Sequence, residues 1–193
     1  MRARGFSLVE LLIAMALLGL LLGLGMPAMS TWVSNAKTRT VSDALQNGLR
    51  LAQAEAVRRH RQVVFFRTAD PLCSNAAVPS ASGNFWVVRS VAMITGDPVE
   101  TVQCGQLNEV AGGVTVTGPT ALCFSGGGRQ VANADPGLGG TACVLPTTAM
   151  SAFNVTNAHG DRPLRVLVTL AGSVRLCDPA RTFSSSNPDG CPA

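Results

Sequence analysis

The sequence has no tyrosine, two histidines and few charges, with only 13% of its 193 residues being Asp, Glu, Lys or Arg. His60 lies in a basic run and His159 in an Asn-Ala-His-Gly-Asp turn, so neither reads as a catalytic imidazole. No His-Glu-x-x-His, Gly-x-Ser-x-Gly or Cys-x-x-Cys is present, which removes the common zinc, hydrolase and thioredoxin patterns. Ser125-Gly-Gly-Gly-Arg129 lacks the Gly-Lys-Ser/Thr ending of a phosphate loop. Asp70, Asp97, Asp135 and Asp161 stand beside Pro or Gly, as turn residues do. Catalytic residues, cofactor and metal are therefore all expected to be none, and the chain reads as a non-enzyme. The formal charge of +4 is too mild by itself to argue for nucleic acid.

Charge is absent altogether from Leu11 to Ala36, 26 positions made mostly of Leu, Ala, Met and Gly. About 20 apolar residues suffice to span a bilayer as a helix. Arg2 and Arg4 precede the run, and a basic flank there holds the N-terminus in the cytoplasm. The expectation is a single-pass inner-membrane helix with everything after it periplasmic. Glu10 opens the run. A lone carboxylate in hydrocarbon costs about 2.5–3.5 kcal/mol even on mild insertion scales, so Glu10 implies a partner. Pro27 near the end of the run predicts a kink or loosening, and Gly19-x-x-x-Gly23 would allow close helix approach.

Beyond Ser34 the pattern becomes amphipathic. Val41, Leu45, Leu49, Ala52 and Ala56 mark one helical face, with Arg39, Asp43, Gln46, Arg50 and Arg58 largely opposite. One helix from Ser7 to about His60 is predicted, ending in Arg58, Arg59 and Arg61, where cations oppose the macrodipole. Strands are expected at 63–66, 84–91, 113–117, 121–124, 152–156, 164–170 and 174–177, with a tight hairpin at Ala171-Gly172. Residues 125–140 show no periodicity and are expected to form a long loop. The fold class is α+β: a long N-terminal helix packed against antiparallel sheets.

The six cysteines, at 73, 104, 123, 143, 177 and 191, all follow the apolar run, in the compartment where disulfides form. Many connectivities are open. Nearest-neighbour pairing is the simplest: Cys73–Cys104, Cys123–Cys143 and Cys177–Cys191. The last would clamp a Ser/Asn/Pro-rich tail.

Gly5-Phe-Ser-Leu-Val-Glu10, with its basic leader and apolar helix, resembles the processing site of type IV prepilins and type II secretion pseudopilins. The stretch from Leu49 to Val64 is similar to the helix end and first strand of the GspH/FimT family (FimT/FimU-like minor pilins and pseudopilins). The resemblance implies a pilin fold and cleavage after Gly5 by prepilin peptidase. It also implies N-methylation of Phe6, and pairing of the new amine with Glu10 of a neighbour during assembly. The expected organisation is leader 1–5, membrane and filament-core helix 6–33, amphipathic helix 34–61, and β-rich periplasmic head 62–193. Implied partners are the peptidase, the inner membrane and other major and minor pilins or pseudopilins.

Leu170 to Pro179 is similar to the C-terminal segment of FimT-type pilins, some of which bind double-stranded DNA through Gly-Arg-x-Arg. Here the motif reads Gly172-Ser-Val-Arg175, so one arginine is missing. Arg175, with Arg162, Arg165 and Arg181 to compensate, are the DNA-binding candidates. A minor pilin of a type IV pilus is the leading expectation, with a type II secretion pseudopilin and a DNA-uptake subunit as alternatives.

Overall fold

The computed structural model describes residues 7–94, 96–107 and 112–192, without the side chains of 24–28. One helix dominates it. Helix α1, Leu8–Arg59, has 52 residues and at 1.5 Å per residue is about 80 Å long. It starts at Ser7, whose side chain accepts from the Val9 N–H, while the Ser7 N–H donates to Glu10 Oε2 at 3.0 Å. This Ser-x-x-Glu capping box satisfies two donors that a helix start would otherwise strand. The helix stops at His60, which takes a left-handed conformation with φ 50° and donates back to Ala56 and Val57. At Pro27, where a kink or loosening was expected, α1 continues as one helix, and the Pro27 side chain lies outside the described residues.

The two halves of α1 meet different surroundings. Every described side chain from Ser7 to Gly23 is exposed. In the second half Val41, Leu45, Leu49, Ala52 and Ala56 are buried, which is the predicted stripe. They pack on two sheets at once. Strands in chain order are β1 Val63–Thr68, β2 Phe85–Ser90, β3 Thr101–Gln106, β4 Val114–Thr117, β5 Ala121–Phe124, β6 Gln130–Val131, β7 Met150–Asn157, β8 Leu164–Thr169, β9 Val174–Thr182 and β10 Gly190–Cys191. The first sheet has the order β3-β2-β1-β5-β6 and the second β10-β9-β8-β7-β4. All pairings are antiparallel except β9 with β10.

β1 is buried along its whole length because both of its faces are covered. Val63 and Phe65 face α1, where Phe65 meets Trp86 and Phe153. Val64 and Phe66 face the other way, into a second cluster with Val87, Val91 and Leu138. A third, small cluster lies outside the second sheet, where Leu167 packs with Cys177 and Cys191. Disulfides join Cys73–Cys104, Cys123–Cys143 and Cys177–Cys191, which is nearest-neighbour order.

Three features depart from the sequence reading. β3 was not expected, because its Thr-Val-Gln-Cys-Gly-Gln sequence is polar and lies on an exposed edge. β9 runs to Thr182 rather than stopping at Cys177. Past Cys177 it has left β8 and pairs only with β10, so Pro179 has no donor to supply to β8. The segment 125–140 is not a featureless loop. It contains β6, it buries Leu138, and the Gln130 N–H and side chain bond to Leu170 O and Ser151 Oγ.

Candidate functional site

The residues singled out by sequence fall in two places: the exposed N-terminal half of α1 and the outer face of the second sheet. Gly5 and Phe6 lie outside the described residues. Glu10 is exposed near the start of α1, and its carboxylate is already engaged by the Ser7 N–H. The sequence reading gave Glu10 a partner only in another subunit and missed this local one. The Ser7-x-x-Glu10 spacing before an apolar run is the signal that finds it. Gly19 and Gly23 face open space, so a second helix could approach there. Among the described residues no helix is long and apolar enough to cross a membrane. The uncharged run of the sequence passes through 24–28, whose side chains lie outside that description.

The head is fixed to α1 at its base by Asn35, which sequence reasoning also missed. Its Nδ2 donates to Asp161 Oδ1 at 2.6 Å, and its Oδ1 accepts from the N–H groups of Asp161 and Arg162. At the far end Arg58 and Arg59 share the carboxylate of Glu55, and Arg59 continues to Glu100. The hydrogen bond from Arg58 is the main reason the Glu55 carboxyl is held below the usual range, with Arg59 adding to it against partial burial. Arg61 binds Asp97 and Val91 O, tying the 91–97 turn to the helix end. These arginines close the domain at the C-terminal end of α1.

The four DNA candidates sit on or beside β8 and β9. The register pairs Arg165 with Cys177 and Leu167 with Arg175, so Arg165 and Arg175 share the face turned away from α1. They are occupied there. Arg165 Nε donates to Asn154 Oδ1 at 2.6 Å. Arg175 donates to Pro188 O at 2.8 Å and stacks 4.4 Å over the Phe183 ring. Arg181 pairs with Asp189 at 3.2 Å and Asp178 at 3.6 Å. Arg162 is exposed at the Asn35 turn and lines a groove with Arg175, where Asp43, Asp178 and Asp189 stand among the cations. The arginines are thus not gathered into one free cationic surface. Two of them, Arg175 and Arg181, brace the C-terminal tail, which the Cys177–Cys191 disulfide also clamps.

Comparison with known proteins gives the same picture from outside. A family model described as "Type II transport protein GspH" matches residues 41–172. The chain belongs to the GspH family. A second model, the prokaryotic N-terminal methylation motif, matches residues 1–26. A search of curated proteins finds no match. Among solved structures, the type IV minor pilin FimU of Pseudomonas aeruginosa aligns at 15% identity, over 77% of this chain and 96% of FimU, with a TM-score of 0.51. The minor pseudopilin EpsH from the Type 2 Secretion System of Vibrio cholerae aligns at 11% identity, over 75% and 99%, with a TM-score of 0.47. Escherichia coli GspH aligns at 11% identity, over 79% and 95%, with a TM-score of 0.44. This GspH-family chain has the pilin fold: a long N-terminal helix packed against antiparallel-rich sheets.

Proposed function

We propose that this GspH-family chain is a minor pilin of a type IV pilus, inserted in the inner membrane through α1 and carried into the filament after prepilin peptidase processing. The observation that carries the reading is the division of α1. The described side chains of its first half, from Ser7 to Gly23, are exposed on every side, and an apolar stripe of its second half is buried in the head. A head alone gives the first half nothing to pack against. Lipid, and then the helices of neighbouring subunits, would cover it. In this reading residues 1–5 are the leader, 6–33 the membrane and filament-core helix, and 34–61 the amphipathic half that holds the head of residues 62–193. Glu10, capping α1 in the single chain, exchanges the Ser7 N–H for the methylated amine of a neighbour's Phe6.

Co-expression with a prepilin peptidase tests the first step. Mass spectrometry should find Met1–Gly5 removed and one methyl group added. An intact N-terminus would defeat the proposal. Glu10→Gln then separates capping from charge. It retains an acceptor for Ser7 and loses the anion, so it should insert normally and be depleted from sheared filaments.

The pseudopilin reading is favoured by one observation, the family model itself, whose description names type II transport. Our preference for the pilus rests on the Cys177-Asp-Pro…Cys191 tail. Co-purification with the pilus or the secretion machinery from cells carrying both decides between them. A DNA-uptake role has less support, because Arg165, Arg175 and Arg181 are bound within the fold. Titration with double-stranded DNA at low salt should give no binding that Arg175→Ala removes.

A further inference from the structure

Two arginines are almost fully buried, Arg67 and Arg89, each 2% exposed. They stand on opposite faces of the first sheet, and the fold treats them differently. Arg89 lies on the outer face. It donates to Ser74 O and lies within reach of Ala77 O, and its guanidinium sits 4.8 Å over the Phe66 ring. Arg67 points the other way, on the same side of β1 as Val63 and Phe65, where the first sheet meets β4 of the second. Its Nη1 donates to Val116 O at 2.8 Å, its only acceptor among the described residues, and its Nε, like that of Arg89, is buried with no acceptor. No carboxylate among the described residues forms an ion pair with it. Guanidinium carries five donors and a fixed charge, so this is an expensive way to leave it.

Arg67 also lines a cavity of about 440 Å³, open on one side. Val41, Leu107 and Val114 supply apolar wall, and Ser82, Asn84 and Thr115 supply polar wall. The cavity is formed by close packing at its rim. Gly83 lies so near the Thr68 backbone that a Cβ there would collide with it, which lets the 81–84 turn fold over the end of β1. A buried cation with unused donors, at a cavity with apolar walls, asks for a single planar anion carrying an apolar group. One guanidinium matches one carboxylate in charge and in fork geometry. A dianionic phosphate would want a second cation, and among the described residues no other Lys, Arg or His lines the cavity.

We infer that the cavity between the 81–84 turn and β4 is a binding site for a carboxylate, held by Arg67 with its apolar portion against Val41, Leu107 and Val114. The site lies away from the exposed half of α1, so it does not depend on which machine the subunit serves. The carboxylate comes either from a free small acid or from an acidic side chain on an extended segment of another protein.

The test uses the full chain in detergent, labelled with ¹⁵N-arginine, at constant ionic strength. Isovalerate is the carboxylate probe, isovaleramide its neutral match, and N-acetyl-Val-Glu-Val-amide the extended-chain probe. The Arg67 Nε–H signal, assigned by its loss in Arg67→Lys, should shift saturably with isovalerate and not with isovaleramide. The Arg89 signal should stay in place. Arg67→Lys keeps the charge and loses the fork, and should weaken isovalerate binding roughly tenfold when both proteins are titrated by calorimetry. Tighter binding of the tripeptide than of isovalerate assigns the carboxylate to an extended segment, and the reverse order assigns it to a small acid. Either order supports the site. No saturable shift with either carboxylate, or equal shifts with amide and acid, overturns it.

Discussion

Single residues carry much of this fold through hydrogen bonds to distant backbone. Arg89 shows how. Its guanidinium supports the 74–77 turn from beneath and covers the Phe66 ring. Arg89→Ala leaves an acceptor stranded and a void behind it. It should cost about 3 kcal/mol, read as a lowered midpoint in denaturant with the slope unchanged. Gly172 is the other sensitive position. It sits at φ 89° in the β8–β9 turn, where a Cβ would run into Gly128 O and Gln53 Nε2. Gly172→Ala should therefore destabilise by about 3 kcal/mol, from strain and collision together. Gly128→Ala offers a check of the cause, since its φ of 74° carries similar backbone strain but the nearest atom to its Cβ is the flexible Val57 side chain. It should cost less. Equal losses would mean that backbone strain alone decides.

At the scale of elements, α1 and the C-terminal tail are held by opposite means. The second half of α1 is held by burial of a regular apolar stripe against two sheets. The tail beyond Thr182 has little apolar surface and depends on cross-links: Cys177–Cys191, the Asp178 N–H to Asp189 O bond, and the Arg175 and Arg181 contacts. The disulfide closes a sequence separation of 14 residues, a loop worth about 3 kcal/mol when cross-linked. A Cys177→Ser/Cys191→Ser double variant should lose about that much. It should also become sensitive to protease between 183 and 190, with the rest of the head still resistant. Cleavage throughout the head instead would mean that the tail is part of the cooperative unit. The stripe on α1 was legible because helical period and burial are the same pattern. β3 and β6 were not legible, because a polar edge strand and a two-residue strand have no periodicity to read.

For the whole molecule, the acid side of the stability curve should be set by the carboxylates at the two ends of the first sheet. Glu55 lies below the usual carboxyl range chiefly through its Arg58 hydrogen bond. Asp70 does so chiefly through Ser74, with the Leu72 and Ser74 N–H groups adding to it. A carboxyl depressed in the folded state binds its proton more readily when unfolded. Its contribution is therefore complete above the ordinary carboxyl pKa of about 4 and is lost as pH falls through the lower folded value. The melting temperature should hold level from neutral pH to the ordinary carboxyl range and fall below it. Glu55→Gln should begin lower and show a shallower acid limb. An unchanged limb would place the acid sensitivity elsewhere.

The sequence by itself determined α1, its division into an all-round apolar half and a one-sided half, most of the strands, and the presence of a Gly-Phe-x-x-x-Glu start. Each of these is a local pattern, written in consecutive residues by period, charge and composition. Only the tertiary structure decided which faces of the first sheet hold Arg67 and Arg89, how Asn35 holds the base of the head, and that Arg165, Arg175 and Arg181 are bound within the fold. Those outcomes depend on groups brought together from far apart in the chain: Asn35 with Asp161, Arg67 with Val116, Arg175 with Pro188. An arginine in a sequence is a charge available to any partner. In the folded chain its position fixes which acceptors it can reach, and Arg165, Arg175 and Arg181 all reach acceptors within the head.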